Sequence, residues 1–241
     1  MNIFDPRLDK PYRYEFKYLV PNYLRPALEH EFVRMGFKDD PFVNAEHFYY
    51  VSSIYFDTYD FSDYMDKIGG YQERKKIRVR IYRTHLDDAT PEIWLEIKRK
   101  NNLRVFKEKT QLTQEQWRNF SNLSAGQDPV LNQALYYIRG EHRRPTVLVR
   151  YKRQPFLYDL AGFDVRFTLD YDLEACQNDH FDYNVPTTKV LPESCVLEVK
   201  FDQWLPAWFD FIVKKYNLRR DTFSKYAFSI EAVRRFNPLP R

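Results

Sequence analysis

Cationic side chains occupy every second position in several segments of this 241-residue chain. Residues 73–83 read E-R-K-K-I-R-V-R-I-Y-R, in which Lys76, Arg78 and Arg80 alternate with aliphatic residues. Side chains alternate between the two faces of a strand, so this segment places cations on one face and apolar groups on the other. Phosphate chains require several cations at once, and the arginine fork matches phosphate oxygens bidentately. The pattern therefore predicts a strand that holds a polyanion with one face.

The same alternation recurs in other segments, which read R-Y-E-F-K, I-W-L-E-I-K-R-K, V-F-K-E-K and V-L-E-V-K. Their lysines are Lys17, Lys98, Lys100, Lys107, Lys109 and Lys200. Any one of these strands, taken alone, could equally belong to a solvated sheet with a ladder of cross-strand ion pairs. Cations outnumber acids on these faces when all the strands are taken together, which favours a sheet built to hold a polyanion.

Three carboxylates each stand two residues before a lysine: Glu15, Glu96 and Glu198 in E-F-K, E-I-K and E-V-K. A carboxylate beside phosphate is repulsive unless a cation lies between them. Oxygen ligands suit Mg²⁺ or Mn²⁺. The pattern therefore predicts a divalent metal between these carboxylates and a phosphate ligand.

Other common catalytic devices have no signature here. The chain has no G-x-x-x-x-G-K or G-x-G-x-x-G loop for phosphate, and no G-x-S-x-G surrounds Ser52 and Ser53. Its five histidines are scattered, and the two cysteines, Cys176 and Cys195, form neither a disulfide framework nor a zinc signature. A cage of Lys and Arg side chains is the phosphate-binding device that this chain could supply.

Composition limits the class of protein. The net charge is only +4, with 38 basic and 34 acidic residues, which argues against a bulk electrostatic nucleic-acid binder. The start lacks the apolar region of a signal peptide, and no apolar run approaches the ~20 residues that span a bilayer. We therefore expect a cytoplasmic protein that could dock peripherally at a membrane.

Secondary-structure patterns favour an α+β protein with about eight strands, mostly antiparallel. No linker or repeat divides the chain, so residues 1–241 are expected to form one domain. Eight strands are about enough to close a barrel around a small ligand, with the charges inside and helices covering the apolar outside. Besides the three cationic segments from Glu73 to Lys109, the expected strands are Tyr12–Val20, Phe48–Asp57, Thr146–Arg153, Phe163–Asp170 and Cys195–Asp202. The expected helices are Pro21–Met35, Asp60–Ile68, one opening at Thr113 with a capping box to Gln116, Pro129–Arg139, Pro206–Tyr216 and Ser224–Phe236.

An ordered series of short motifs resembles a known family. The motifs are R-Y-E-F-K-Y (13–18), S-I-Y-F-D-T (53–58), K-I-R-V-R-I-Y (76–82), W-L-E-I-K (94–98), R-Y-K-R-Q-P-F (150–156), V-R-F-T-L-D (165–170), V-L-E-V-K-F (196–201) and F-S-K-Y (223–226). Over about residues 10–236 the chain resembles the VTC domain, the polyphosphate polymerase domain of the CYTH-like triphosphate tunnel metalloenzyme superfamily. Each motif is weak alone, whereas their order is specific.

The resemblance implies a tunnel formed by an eight-stranded antiparallel β-barrel with a basic interior. It also implies phosphoryl transfer from ATP or another nucleoside triphosphate to polyphosphate, with Mn²⁺ or Mg²⁺ as cofactor. The implied phosphate-binding residues are Lys17, Arg78, Arg80, Lys98, Lys107, Lys109, Arg153, Arg166, Lys200 and Lys225. Of these, Arg78, Arg80, Lys98 and Lys107 are the implied catalytic residues, and Glu198, Glu15 and Glu96 the implied metal ligands.

The chain departs from the wider superfamily at two points. Arg13 replaces the first acid of the E-x-E-x-K motif, which disfavours a two-metal hydrolase. Thr222 stands where some polymerases carry a second basic residue, and Arg219 or Arg220 could compensate for it.

Other activities remain open from the sequence. With water as acceptor, the protein would be an inorganic or nucleoside triphosphatase. Without turnover, it would be a polyphosphate- or inositol-phosphate-binding module. The eukaryotic relatives carry membrane helices, so coupling to transport would require a separate membrane-protein partner. Nucleic acid is the least favoured ligand because the net charge is small.

Overall fold

A computed structural model describes residues 13–88, 90, 92–101, 104–160, 163–182, 184–201 and 204–234. The strands are β1 (Arg13–Pro21), β2 (Lys38–Asp39), β3 (Tyr49–Asp57), β4 (Glu73–Ile81), β5 (Ile93–Asn101), β6 (Arg104–Leu112), β7 (Arg144–Leu160), β8 (Phe163–Cys176), β9 (Thr188–Lys189), β10 (Ser194–Phe201) and β11 (Arg220–Asp221). The α-helices are α1 (Arg25–Arg34), α2 (Ser62–Ile68), α3 (Gln114–Arg118), α4 (Pro129–Gly140), α5 (Ala207–Lys215) and α6 (Lys225–Arg234), and short 3₁₀ helices cover Asn22–Leu24 and Phe120–Asn122. Tyr12, Asp202 and Phe236, expected at the ends of elements, lie outside the described residues.

All the strands of the described chain belong to one sheet. Its order is β2-β7-β3-β4-β5-β6-β1-β10-β8-β9, with β11 beside β1, and β7 also pairs with β8. Every pairing is antiparallel. The pairing of β1 with β6 is the shortest among the long strands, since it joins only Arg13 to Val105 and Tyr14 to Arg104. The structure thus confirms a mainly antiparallel α+β fold.

The predicted number of strands was too small. The described sheet has eleven strands, because β2, β9 and β11 are two-residue strands, too short to show an alternating pattern. Strands β7 and β8 are also longer than expected, at 17 and 14 residues. The expected strand ended at Arg153, two residues before Pro155, which cannot donate a backbone hydrogen bond to a sheet. The closed eight-stranded barrel is therefore not confirmed as it was predicted.

Helices cover the apolar face of the sheet in two places. α1 and α5 supply Phe32 and Phe209, which pack on Phe167 of β8 in one aromatic cluster. α3 and α4 supply Trp117 and Leu131 to a second cluster, with the aliphatic side chains of β4 and β5. Burying each such large apolar side chain contributes roughly 1.5–3 kcal/mol. The tyrosines and the phenylalanine of β1 lie in or against the first cluster, so they serve as packing residues.

α6 packs against the opposite face of the sheet. Its Tyr226 and Ile230 join Val149 and Val196 in a third apolar cluster. The Tyr226 hydroxyl donates a hydrogen bond to Asp57 at the end of β3. This packing fixes the first turn of α6 on the face of the sheet that carries the charged residues.

α2 is anchored to the start of β7 by a buried ion pair. Arg143 donates two hydrogen bonds to the Asp63 carboxylate, at 2.7 and 2.9 Å. Burial raises the pKa of Asp63 to about 6, although Arg143 opposes that shift. The ion pair thus fixes the position of α2, and α2 also contacts α6.

The capping box is as the sequence predicts, whereas the first α-helix, expected from Pro21, begins only at Arg25, after a short 3₁₀ helix. Thr113 accepts a hydrogen bond from the Gln116 N–H while the Gln116 side chain accepts one from the Thr113 N–H, which is the expected capping box. Gly36 follows α1 with a φ of +85°, a left-handed conformation that glycine adopts without strain. None of the helices in the described part of the chain has the length and apolar composition that crossing a bilayer would require.

Candidate functional site

One face of the sheet, here called the charged face, carries the cations that the sequence places at alternate positions. On β4, the aliphatic residues Ile77, Val79 and Ile81 are completely buried against the helices. Arg78 and Arg80 therefore project from the other side of the strand, towards Tyr55 and Ser53 of β3. The same alternation operates on β1, β5, β6, β8 and β10.

Glu96 of β5 gathers three of the predicted cations. Its side chain is 1% exposed, and Arg78 donates to it from Nε at 2.6 Å and pairs with it through the second guanidinium nitrogen at 2.5 Å. Lys107 of β6 lies 3.2 Å from the other carboxylate oxygen, and Arg80 lies 3.9 Å away. The Tyr55 hydroxyl accepts a further hydrogen bond from Arg78 at 3.0 Å. This arrangement fixes the orientation of Arg78 before any ligand binds.

A second group forms where β7, β8 and α6 meet. Arg153 donates two parallel hydrogen bonds to Asp170, at 2.6 and 2.7 Å. Lys225, the first residue of α6, lies 2.5 Å from Asp170 and 3.6 Å from Glu198 of β10. Glu198 also lies 3.9 Å from Arg153, so the two carboxylates share the two cations.

β1 and β10 join these groups through lysines. Lys200 lies 2.5 Å from Glu198, on the same strand. Lys17 of β1 lies 3.0 Å from Glu15 and 4.0 Å from Glu198, and Lys98 of β5 lies 3.0 Å from Glu15. Lys17 also donates to the carbonyl oxygen of Phe223, two residues before α6.

The cations keep these buried carboxylates ionised. Burial would raise the pKa of Glu198, but Lys200, Lys225, Lys17 and Arg153 hold it well below the usual value. The pKa of Glu96 is likewise held well below its usual value, because Arg78, Arg80 and Lys107 outweigh burial. Burial would also raise the pKa of Asp170, but Arg153 and Lys225 lower it below its usual value.

We call these twelve side chains the charged cluster: Lys17, Arg78, Arg80, Lys98, Lys107, Arg153, Lys200 and Lys225, with Glu15, Glu96, Asp170 and Glu198. Its eight cations exceed its four carboxylates by four positive charges. A triphosphate carries roughly four negative charges near neutral pH, one for each phosphate and a second on the terminal group. The cluster therefore has the charge to neutralise such a ligand.

Two of the predicted phosphate-binding residues lie outside this cluster. Lys109 is exposed and lies over the ring of Trp94, 4.0 Å from its centroid. Arg166 faces Lys200 in register across β8 and β10, and it donates to Asp40 at 3.3 Å and to the Tyr49 hydroxyl at 3.1 Å. The Nε atom of Arg166 is buried and has no partner among the described residues.

Sequence reasoning did not include Asp170 and Tyr55 in the site. Asp170 ends the motif V-R-F-T-L-D, two residues after Thr168 and four after Arg166, so strand alternation alone places it on the charged face. Tyr55 lies opposite Arg78 in register. Burial alone would raise the pKa of Tyr55, but Arg78 and Arg80 outweigh it, so the pKa lies below its ordinary value.

The donor set fits a divalent metal only if the ligand supplies part of the coordination. The described residues contain no group of three or more His, Cys, Asp and Glu side chains placed to hold a metal. Mg²⁺ is commonly bound by one or two carboxylates together with substrate phosphates. Glu198 and Glu15 approach a common lysine, and the Thr168 hydroxyl opposite Glu198 is buried without a partner among the described residues. These oxygens fit a metal that arrives with a phosphate ligand.

Two cavities lie away from the charged cluster. The first has a volume of about 920 Å³ and is lined by Trp117, Phe120 and Phe181 with charged residues of both signs. The second, of about 590 Å³, is bordered by Lys152 and Asp172. Neither is lined by a residue of the charged cluster. Both are lined by cations and carboxylates in nearly equal numbers, which does not favour a polyphosphate ligand.

A family model matches almost the whole chain. The model of the VTC domain matches residues 12–234. No curated protein matches the sequence.

Two solved structures share the fold at low sequence identity. A proposed adenylate cyclase from Bacillus halodurans is 11% identical, with a TM-score of 0.52 and coverage of 89% of this chain and 94% of the other. The PH1819 protein from Pyrococcus horikoshii is 13% identical, with a TM-score of 0.50 and coverage of 91% and 99%. At such identities the likeness concerns the fold alone.

Proposed function

Since the chain belongs to the VTC domain family, we propose that it catalyses metal-dependent phosphoryl transfer from a nucleoside triphosphate to polyphosphate. One observation carries the proposal: a partly buried cluster of eight cations exceeds its four carboxylates by about the charge of a triphosphate. A purely structural ion-pair network would be expected to balance its charges.

The proposal includes a tunnel that encloses the cluster, within one domain formed by residues 1–241. The pairing order supports it, because β7-β3-β4-β5-β6-β1-β10-β8 leads back to β7 through the pairing of β8 with β7. Those are eight strands, and β2, β9 and β11 would be additions at their margins. Side chains from β1, β4, β5, β7, β8 and β10 contribute to one cluster, as an enclosed space would require.

In this mechanism the protein positions the phosphates and stabilises charge. Phosphoryl transfer requires little covalent chemistry from the protein, since positioning and electrostatics dominate it. Arg78, Arg80 and Arg153 would bind the phosphates of the nucleotide, with their guanidinium groups already oriented by Glu96 and Asp170. Lys225 on α6 and Lys98 on β5 would neutralise further phosphate oxygens.

A divalent metal, Mn²⁺ or Mg²⁺, would neutralise charge on the transferring group and polarise it. Glu198, with Glu15, would supply the protein ligands. Of the three predicted metal ligands, Glu96 is the least available to a metal, since Arg78, Arg80 and Lys107 surround it. The end phosphate of the acceptor chain is ionised at neutral pH, so no serine, cysteine or histidine is needed to activate it.

The decisive experiment supplies the purified protein with ATP, Mn²⁺ and a short polyphosphate primer, and resolves the products by gel electrophoresis and phosphorus NMR. Chains that grow with time support the proposal. Orthophosphate as the only product would identify a triphosphatase. Polyphosphate binding without turnover would identify a binding module and remove the catalytic roles given above.

A further inference from the structure

On the charged face, two cross-strand pairs of β4 and β5 join cations to cations, and they extend beyond the charged cluster. Arg74 lies opposite Lys100 in register, and Lys76 lies opposite Lys98. All four occupy the charged face, because they alternate with the buried residues of the two strands. Like charges directly opposite one another destabilise a sheet. Two such pairs in succession therefore require a compensating reason.

The first of these pairs and Lys76 form what we call the second cation group: Arg74, Lys76 and Lys100. Among the described residues, no carboxylate forms an ion pair with any of the three. The outward-facing cations of the same strands differ, since Lys75 lies 2.9 Å from Glu141 and Arg99 pairs with Glu108. Among these cations of β4 and β5, those without a carboxylate partner therefore lie on the charged face.

Lys76 occupies the most constrained position of the group. Its ammonium group donates to the Ser224 hydroxyl at 2.7 Å and lies 5.0 Å from the centre of the Tyr226 ring. The charged groups that act on it are Lys17 of β1, Arg74 of β4, Lys98 of β5 and Asp63 of α2, and Asp63 is already bound by Arg143.

Burial and the neighbouring cations penalise the charged forms of these lysines. Burial first, and then Lys17, lower the pKa of Lys76 to about 7. Burial and Arg74 lower the pKa of Lys100 to about 8. An arriving anion would relieve this repulsion, so the group is arranged for a ligand rather than for the stability of the free protein.

We propose that Arg74, Lys76 and Lys100 form a second anion subsite, which binds the additional phosphate groups of a linear inorganic polyphosphate. The subsite continues from the charged cluster, because Lys76 faces Lys98 across β4 and β5. A triphosphate would saturate the charged cluster, and only a longer chain would reach the second group. This inference rests on the proposed function and adds a preference for long chains to it.

The test measures the affinities of inorganic tripolyphosphate and of a long linear polyphosphate by calorimetry. The test variant is Lys76→Ala/Lys100→Ala, and the matched control is Lys75→Ala/Arg99→Ala on the outward face of the same strands. We expect the test variant to bind the long chain at least about tenfold more weakly, since a charge-assisted hydrogen bond to phosphate contributes that much or more. Its affinity for tripolyphosphate should stay within about twofold of the wild type.

The outcomes separate the two proposals. Equal losses for both ligands, or no loss for either, would overturn the subsite while leaving triphosphate binding established. A wild-type protein that binds neither ligand would overturn the proposed function and the subsite together.

Proton uptake provides a second measurement. Titrations with long polyphosphate at pH 8 in two buffers of different ionisation enthalpy should show net proton uptake by the wild type, because Lys76 regains its charge beside the anion. Lys76→Arg should keep the affinity and lose most of the uptake. Uptake that is unchanged in this variant would contradict a ligand-binding role for Lys76.

Discussion

The role of Asp170 provides the sharpest test of the charged cluster. Its side chain is 1% exposed, and it neutralises Arg153 through two hydrogen bonds and Lys225 through a contact of 2.5 Å. Asp170→Asn keeps the shape of the side chain and removes its charge. Two buried cations would then lose their nearest counter-charge.

We expect this change to lower the free energy of unfolding by roughly 3–5 kcal/mol, the usual consequence of removing one partner of a buried ion pair. In a chain of this size each kcal/mol corresponds to about 2–4 °C in melting temperature, so the midpoint should fall by roughly 10 °C. The pKa of Asp170 is lowered in the fold. Its contribution is therefore present above the unfolded pKa near 3.9, and it is lost as the pH falls through the lower folded value.

Ligand binding should reverse the defect. Tripolyphosphate would bring negative charge to Arg153 and Lys225, so the variant should bind it roughly tenfold more tightly than the wild type. Thermal shifts measured with and without saturating tripolyphosphate would therefore be larger for Asp170→Asn, since ligand stabilisation grows with the ratio of ligand concentration to Kd.

Glu108→Gln is the matched control. It removes a carboxylate from a more exposed ion pair with Arg99, which should contribute at most about 1 kcal/mol. The reasoning fails if Asp170→Asn melts within about 2 °C of the wild type and gains no more from the ligand than the control does.

Three further predictions concern single side chains. Arg78→Ala should lower kcat/KM at least about 100-fold, as expected for a pre-oriented group that stabilises transition-state charge. The control Lys75→Ala, on the outer face, should change kcat/KM by no more than about twofold. Steady-state kinetics with ATP and Mn²⁺ compare the two variants. Glu198→Gln should weaken binding of Mn²⁺ with nucleotide but not of metal-free tripolyphosphate, as measured by calorimetry, and unchanged metal binding would remove Glu198 from the metal site. The folded pKa of Lys76, about 7, lies below the unfolded value near 10.4. The native state then binds fewer protons between these values, so stability should rise with pH above about 7 by at most ~1.4 kcal/mol per pH unit, and denaturant titrations should show this slope reduced in Lys76→Met.

The strands and their faces could be predicted from the sequence because each carries its own alternation. The segment K-I-R-V-R-I needs no knowledge of its neighbours to place Arg78 and Ile77 on opposite faces, and the burial of Ile77 and the contact of Arg78 with Tyr55 confirm both. The capping box at Thr113 is equally local. Two-residue strands such as Arg220–Asp221 carry no such pattern, since they form only through their pairing with β1.

The partners within the site could not be predicted in the same way. Strand alternation states which face Asp170 occupies, but its contact with Lys225 depends on where α6 packs, across a separation of more than fifty residues. α6 is held there by the buried hydrogen bond from Tyr226 to Asp57 and by apolar contacts with several strands. The identity of a cation's counter-charge is thus a property of the tertiary packing, whereas the presence of the cation is a property of the strand.

The small net charge of the chain conceals a strongly uneven distribution. The charged cluster and the second cation group contain eleven cations and four carboxylates, which leaves 27 basic and 30 acidic side chains for the rest of the 241 residues. Outside these two groups the acidic side chains therefore slightly outnumber the basic ones. In the proposed tunnel, a nucleic-acid duplex would meet the remaining surface first and be repelled, whereas a narrow inorganic phosphate chain could reach the uncompensated cations. On that proposal, the low net charge would favour the thin ligand over the wide one, because the positive potential would be available only to a ligand that can reach the charged face.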